Sequence, residues 1–342
     1  MHRYNVGIVG YGWAATAHIA AINATTQGRV TAVCSTRPLD AGELSAKHGG
    51  PITVYHRIDD MLADRDLHVV DITGLPSRHR DHAVAAAESK KHIILEKPMA
   101  NSPEEVADIV SAAAANGVKG CVCFECRFSN QFQVTKALVD EGLLGRLHYA
   151  EVDYYHGIGP WYGQFRWNTG TRDGGSALLT AGCHALDALL MLMGTDVESV
   201  SSLSTKSASG IFKPYEYDTS SVTILRFKNG AVGKTAAIVD CLQPYYFHTH
   251  LIGSEGSLLD NRFHSAKLGT DKSHWSGLSM KMLDSGDVSD HPYQAQFQAF
   301  FDALDKGQDM PLTSFTEAKK TFDVIFAADQ SAAAGGQPVR LG

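Results

Sequence analysis

Gly10, Gly12 and Ala15 form the pattern Gly-x-Gly-x-x-Ala, directly after an apolar run at 5–9 and directly before a helical pattern at 14–25. In that position each residue has a physical task. Gly10 permits a tight turn, Gly12 removes the side chain where a pyrophosphate must approach the backbone, and Ala15 lets helix and strand pack closely. The helix start then offers unpaired N–H groups to phosphate oxygens. Well downstream, Lys91-His92-Ile93-Ile94-Leu95-Glu96-Lys97-Pro98 reads as a short apolar strand that delivers Lys97 into a proline-terminated turn. An ammonium aimed at a dinucleotide crevice could hold a substrate oxygen and stabilise charge developing on it. A Glu-Lys-Pro tripeptide alone is also an ordinary surface turn, so its weight comes from its surroundings.

At the end of the second strand, NAD enzymes usually carry an acidic residue that binds the ribose 2′-hydroxyl. Here Cys34 is followed by Ser35, Thr36 and Arg37. Hydroxyls with a guanidinium suit a 2′-phosphate, because arginine matches phosphate oxygens bidentately. The residues favour NADP, with NAD left open if Arg37 stacks on adenine or faces solvent.

The elements that must position these residues follow one rhythm to residue 120: strand patterns at 5–9, 29–34, 52–55, 69–73, 92–95 and 118–124, with helical segments between them. Such alternation predicts a parallel sheet covered by helices on both faces. Ser102, Pro103 and Glu105 supply a capping box for a helix that should run to Asn116-Gly117. Beyond about residue 122 the pattern changes to a helix at 131–141, a strand at 146–156 and a helix at 177–193. Successive strands then include 220–227 and 231–239, joined by the hairpin signal Asn229-Gly230. Helices return at 292–306 and after the capping box Ser314-Phe315-Thr316-Glu317. Residues 254–290, rich in Gly, Ser, His and Asp, read as a long, partly mobile excursion. The expected fold is an α/β Rossmann domain over 1–121, then an α+β domain over 122–342 with an open, mainly antiparallel sheet, whose C-terminal helix is placed to return to the first domain.

The chain has 342 residues, a net charge of −7 and 44% hydrophobic residues. A core of this size suits a two-domain enzyme, and the absence of basic runs argues against nucleic acid or a membrane surface as partner. With no signal-peptide core and no long uninterrupted apolar run, a cytoplasmic location is expected. Six cysteines do not make a disulfide framework in so long a chain. Cys121 and Cys123 alternate in an apolar strand, near Cys126, and read as buried thiols. His248 and His250 share a strand face, but a histidine pair alone is not taken as a metal site, and no metal is expected.

Four motifs taken in order resemble the Gfo/Idh/MocA oxidoreductases: the fingerprint; Asp71-Ile72-Thr73-Gly74-Leu75-Pro76-Ser77-Arg78-His79; the Lys91 to Pro98 strand and turn; and the segment from Asp173-Gly174-Gly175 through Thr180-Ala181-Gly182-Cys183-His184 to Asp187. The resemblance spans nearly the whole chain. It implies a nicotinamide cofactor, a sugar, cyclitol or related polyol as substrate, and a homodimer or homotetramer formed through the open sheet. Cofactor contacts are then expected from Gly10, Gly12, Trp13, Ala14, Ser35, Thr36, Arg37, Thr73, Gly74, Pro76, His79, Glu96 and Lys97. The family's lysine falls on Lys97 and its helix histidine on His184. Two departures stand out: Thr180 replaces the family's common aspartate four residues before the histidine, and Leu75-Pro76-Ser77 replaces a frequent Thr-Pro-Asn.

Oxidation of a secondary alcohol needs hydride transfer to the nicotinamide and loss of the hydroxyl proton to a base. Histidine suits that role near neutral pH. His184 is therefore the expected acid/base, with Lys97 on the reacting oxygen. In a regular helix Thr180 and His184, four apart, share one face. A carboxylate at 180 would raise the histidine pKa by about 1–3 units; threonine cannot, so His184 is expected to be a weaker base than in relatives with aspartate. The segment 154–168 is dense in aromatic rings, and His156, Arg166 and Trp167 are candidates for a carbohydrate wall, although ordinary packing beneath a loop fits equally well. Arg127 lies where related chains often carry an arginine, as substrate contact or as brace. Lys97, Arg127, His156, Arg166, Trp167, Thr180 and His184 form the expected substrate set. Two other readings remain open: a redox-neutral enzyme that oxidises transiently and then cleaves or epimerises a glycoside, and a non-enzymatic ligand sensor, against which the pairing of Lys97 with His184 argues.

Overall fold

The computed structural model describes residues 4–287 and 291–342. The chain divides into two compact units. The first comprises residues up to Glu125 with 287–319, and the second residues 126–286 with 320–342. A returning segment is expected from the C-terminal helix; the stretch grouped with the first unit is 287–319, while 320–342 belong to the second.

In the first unit six parallel strands, β1 (Tyr4–Val9), β2 (Gly28–Cys34), β3 (Thr53–Tyr55), β4 (Val69–Ile72), β5 (His92–Leu95) and β6 (Gly120–Val122), lie in the order β3-β2-β1-β4-β5-β6. β2, β1, β4 and β5 read as apolar runs because both sheet faces are covered: Val6, Ile8, Val33, Val70, Ile93 and Ile94 have no exposed surface. The helices are α1 (Trp13–Asn23), α2 (Ala41–His48), α3 (Ile58–Leu62), α4 (His79–Glu88) and α5 (Pro103–Asn116). Ser102 caps α5 by accepting from Glu105 N at 3.2 Å, while the Glu105 carboxylate accepts from Asn101 N at 3.0 Å. The strand order reverses between β1 and β4, the switch point beside which open α/β sheets bind ligands.

The second unit contains α6 (Asn130–Asp140), β7 (Leu147–Tyr155), the short helices α7 (Phe165–Asn168) and α8 (Thr171–Gly174), and α9 (Cys183–Met193). The remaining strands are β8 (Val197–Thr205), β9 (Ser220–Phe227), β10 (Val232–Ile238), β11 (Tyr246–Gly253), β12 (Gly256–Leu259), β13 (Arg262–Ser265), β14 (Ser276–Gly277) and β15 (Val339–Arg340). They form one sheet in the order β14-β13-β12-β11-β7-β10-β9-β8-β15. It is antiparallel except for β7 against β10. The hairpin at Asn229-Gly230 forms as the sequence predicts: Gly230 takes φ +86° and the Asn229 side chain accepts from Ala231 N at 2.9 Å.

Two local expectations change. Residues 254–290, expected as a long, partly mobile excursion, include β12, β13 and β14, which extend the sheet; 288–290 lie outside the described residues. The helix expected over 177–193 is not uniformly α-helical, because Leu178–Gly182 form a π turn before α9. Packing accounts for the glycine there: a Cβ on Gly182 would sit 2.2 Å from the Ala237 side chain on β10, so only glycine lets the widened turn lie on the sheet. The stretch Thr171–Met193 has the length and mean hydropathy, 1.5, of a membrane-crossing helix, but 83% of its apolar window is buried inside the protein. Two helices close the chain, α10 (Tyr293–Asp305) in the first unit and α11 (Phe315–Ala333).

Candidate active site

In the first unit Gly10 has φ +91°, and a Cβ there would lie 3.2 Å from the Gly74 backbone. The glycine thus brings the β1–α1 turn against the Thr73-Gly74 loop that follows β4. Thr73 ties that loop back, donating from N to Val9 O at 2.9 Å and from its hydroxyl to the same oxygen at 3.1 Å. Gly12 is the N-cap of α1, and open space surrounds the position of its missing Cβ. No side chain caps α1 and no acidic residue lies in its first turn. The helix therefore presents donors and the positive end of its dipole with no anion of the protein's own, which fits a pyrophosphate. Trp13 is 39% exposed beside them.

At the end of β2, Ser35 is buried while Thr36 and Arg37 are exposed. Ser35 Oγ accepts from Arg37 N at 3.1 Å, and the Arg37 guanidinium donates to Tyr11 O, so the arginine stays folded against the glycine-rich turn. Pro76 opens a 3-10 turn over Pro76–Arg78. His79 is fully buried, and its ring nitrogens face Pro98 O at 2.8 Å and Gly74 O at 3.2 Å. His79 thus ties two loops together.

Glu96 is likewise committed to the protein. Its Oε1 faces His18 Nε2 at 3.0 Å and accepts from the Tyr293 hydroxyl at 2.9 Å; its Oε2 accepts from Lys97 N at 2.9 Å. The other His18 nitrogen lies 2.9 Å from Asp71 Oδ2. Burial would depress the His18 pKa, but the charges and hydrogen bonds of Asp71 and Glu96 overcome it and raise it to about 10. An imidazolium donating to both carboxylates is the state that satisfies every partner. Burial also drives the Cys121 thiol up to about 12 and the Cys123 thiol well above its ordinary value, so both remain buried thiols. Lys97 therefore sits on a turn whose preceding carboxylate is fixed by three groups, and it is itself partly exposed. Sequence reading missed His18; its signal was a histidine within the buried stripe Ala15, His18, Ile19, Ile22 of α1.

In the second unit Thr180 lies within the π turn and His184 in the first turn of α9; both are buried. The widened turn alters the simple four-residue stacking expected of them. Thr180 neighbours Tyr217, whose phenol donates to Asn168 O at 2.6 Å. Arg127 is buried and paired with Asp187, the geometry of a brace. Its Nε and Nη2 each donate to Asp187 at 2.6 Å, and Thr321 donates to the same carboxylate at 2.7 Å. His156 is buried with its Nδ1 2.9 Å from the Tyr154 hydroxyl and its ring against Tyr162 and Tyr245, an aromatic cluster. Arg166 is exposed and Trp167 partly exposed on α7.

Residues 4–124 match the oxidoreductase family with an NAD-binding Rossmann fold, and residues 132–259 match the GFO/IDH/MocA C-terminal domain. The chain belongs to the Gfo/Idh/MocA oxidoreductase family. Among its relatives, the levoglucosan dehydrogenase of Pseudarthrobacter phenanthrenivorans is 28% identical over 295 residues, 76% of this chain and 74% of that one. The scyllo-inositol 2-dehydrogenase (NADP(+)) of Bacillus subtilis is 27% identical over 191 residues, 55% of this chain and 51% of that one. A solved levoglucosan dehydrogenase in complex with NADH and L-sorbose superposes with a TM-score of 0.84 at 23% identity, covering 100% of both chains. At that identity the likeness speaks to the fold.

Proposed function

We propose that this oxidoreductase moves a hydride between a nicotinamide cofactor and a secondary hydroxyl or carbonyl of a sugar, cyclitol or related polyol. The observation that carries the reading is the first unit's own chemistry: an uncapped α1 N-terminus behind Gly10 and Gly12, beside a lysine turn fixed through Glu96. Relatives named as levoglucosan and inositol dehydrogenases support the substrate class. When bound, the nicotinamide supplies the hydride acceptor or donor. Lys97 holds the reacting oxygen and stabilises negative charge on it, while His184 takes or returns the hydroxyl proton. Thr180 orients either His184 or the substrate. Arg166 and Trp167 contact the sugar. Ser35, Thr36 and Arg37 receive the adenosine ribose, and their lack of a carboxylate favours NADP.

A homo-oligomer formed through the open sheet face belongs to the same reading. Leu203, Val222 and Ile224 are 63%, 42% and 52% exposed there, an apolar patch of the kind that marks an interface. The test is reduction of NAD and NADP by the full-length protein across a panel of sugars, inositols and glycosides. Turnover with at least one polyol is expected, and no turnover with any would contradict the reading.

A further inference from the structure

On the face of the second sheet opposite α9, β7 and β11 bring together Glu151, His248 and His250. Antiparallel register pairs His250 with Glu151 and His248 with Asp153, and the two-residue period of β11 turns both imidazoles to the same side. Glu151 Oε1 lies 3.4 Å from His248 Nε2 and 3.3 Å from His250 Nδ1, and all three ligand atoms lie within 4.8 Å of one another. Both N···O distances exceed the roughly 2.7–2.9 Å of a charge-assisted hydrogen bond. They match the edges of a different figure: a tetrahedron with metal–ligand arms of about 2.0–2.1 Å has edges of about 3.3–3.4 Å.

We propose that Glu151, His248 and His250 form a binding site for a first-row divalent cation, with Zn²⁺ the best fit. The surrounding groups are arranged as such a site requires. Asp260 Oδ1 lies 3.1 Å from His248 Nδ1, fixing the tautomer that turns Nε2 toward the cluster, and Asp260 is held in turn by the Tyr246 hydroxyl at 2.7 Å. The second Glu151 oxygen is occupied by the Tyr149 hydroxyl at 3.0 Å and Lys234 Nζ at 3.2 Å, which leaves Oε1 for the cation. Lys234 is itself neutralised by Asp153 at 2.6 Å. Three carboxylates (Glu151, Asp153, Asp260) against one ammonium leave a net charge of −2 beside the imidazoles, the complement of a divalent cation. The side chains of His248, Glu151 and His250 retain 17%, 18% and 27% of their exposure, enough for an ion and a water in the fourth position. The sequence supplied only the His-x-His pair. The third ligand comes from a strand 97 residues away in the chain.

The test is titration of the full-length, chelator-stripped protein with Zn²⁺ by calorimetry, and with Co²⁺ as a spectroscopic probe. One equivalent per chain is expected, with the intense visible bands of tetrahedral Co²⁺ and no thiolate charge-transfer band. Glu151→Gln and His250→Ala should each weaken binding at least about 100-fold, and Asp260→Asn about 10–100-fold, as loss of a supporting partner does. His264→Ala, outside the cluster, should leave binding unchanged. Circular dichroism and the unfolding temperature of each variant separate a lost ligand from a lost fold, and Glu151→Gln, nearly isosteric, covers the case in which a histidine variant does not fold. Absence of stoichiometric binding, binding unchanged in Glu151→Gln and His250→Ala, or a thiolate band would overturn the proposal.

Discussion

His18 Nε2 lies 3.0 Å from Glu96 Oε1, and the other oxygen of that carboxylate accepts the backbone N–H of Lys97 at 2.9 Å. A buried imidazolium in α1 thus fixes the residue that precedes the candidate catalytic lysine. Replacing His18 by glutamine leaves Asp71 and Glu96 with an uncompensated buried charge, a change that costs about 3–5 kcal/mol. The pH dependence has a definite sign. The folded pKa of His18 is raised from 6.5 to about 10, so its contribution is fully present below about 6.5 and is lost as pH rises through about 10. Urea unfolding of the wild type across that window should show falling stability, and His18→Gln should remove most of the slope. Equal slopes in the two proteins would contradict the assignment.

Arg127 and Asp187 form a buried bidentate pair in the second unit. Arg127→Ala should destabilise by about 3–5 kcal/mol. Arg127→Lys, which cannot reproduce the planar fork, should recover only part of that. Thermal unfolding measures both. A large rise in KM with unchanged unfolding temperature would instead return Arg127 to the substrate.

Thr180 stands where the family resemblance leads one to expect an aspartate, and its neighbour is the Tyr217 phenol. Thr180→Asp should raise the pKa of a nearby histidine by about 1–3 units through charge attraction. The acidic limb of the kcat/KM profile, where the base must lose its proton, should therefore move to higher pH. An unmoved limb would refute Thr180 as the residue that sets the basicity of His184.

Arg37 lies folded over the glycine-rich turn. If it receives a 2′-phosphate, Arg37→Ala should lower kcat/KM for NADP by at least about 10-fold, the loss of a charge-assisted hydrogen bond of about 1.5–3 kcal/mol. The value for NAD should change little. Equal losses with both cofactors would show that the arginine supports the loop alone.

Both sheets, the hairpin at Asn229-Gly230 and the capping box at Ser102 were legible because each rests on local signals: period, turn chemistry and helix caps. What escaped the sequence depends on partners far along the chain. His18 meets Asp71 and Glu96, 53 and 78 residues away; Arg127 meets Asp187, 60 residues away. The π turn over Leu178–Gly182 lies where Gly182 closely approaches Ala237, and no helix propensity contains that contact. Glu96 and His79 carry motif positions that suggest cofactor contact, and the loop-tying bonds of their polar atoms were not legible there. A motif marks where a residue stands, and its hydrogen bonds decide what it touches.

The most direct measurement is formation of reduced nicotinamide, followed by absorbance, with the best polyol of the panel and with wild type, Lys97→Ala and His184→Asn compared at equal cofactor saturation. The account predicts turnover in the wild type and losses of about 10²–10³-fold or more in kcat for each variant, with cofactor binding by fluorescence retained. Wild-type rates in both variants would contradict it.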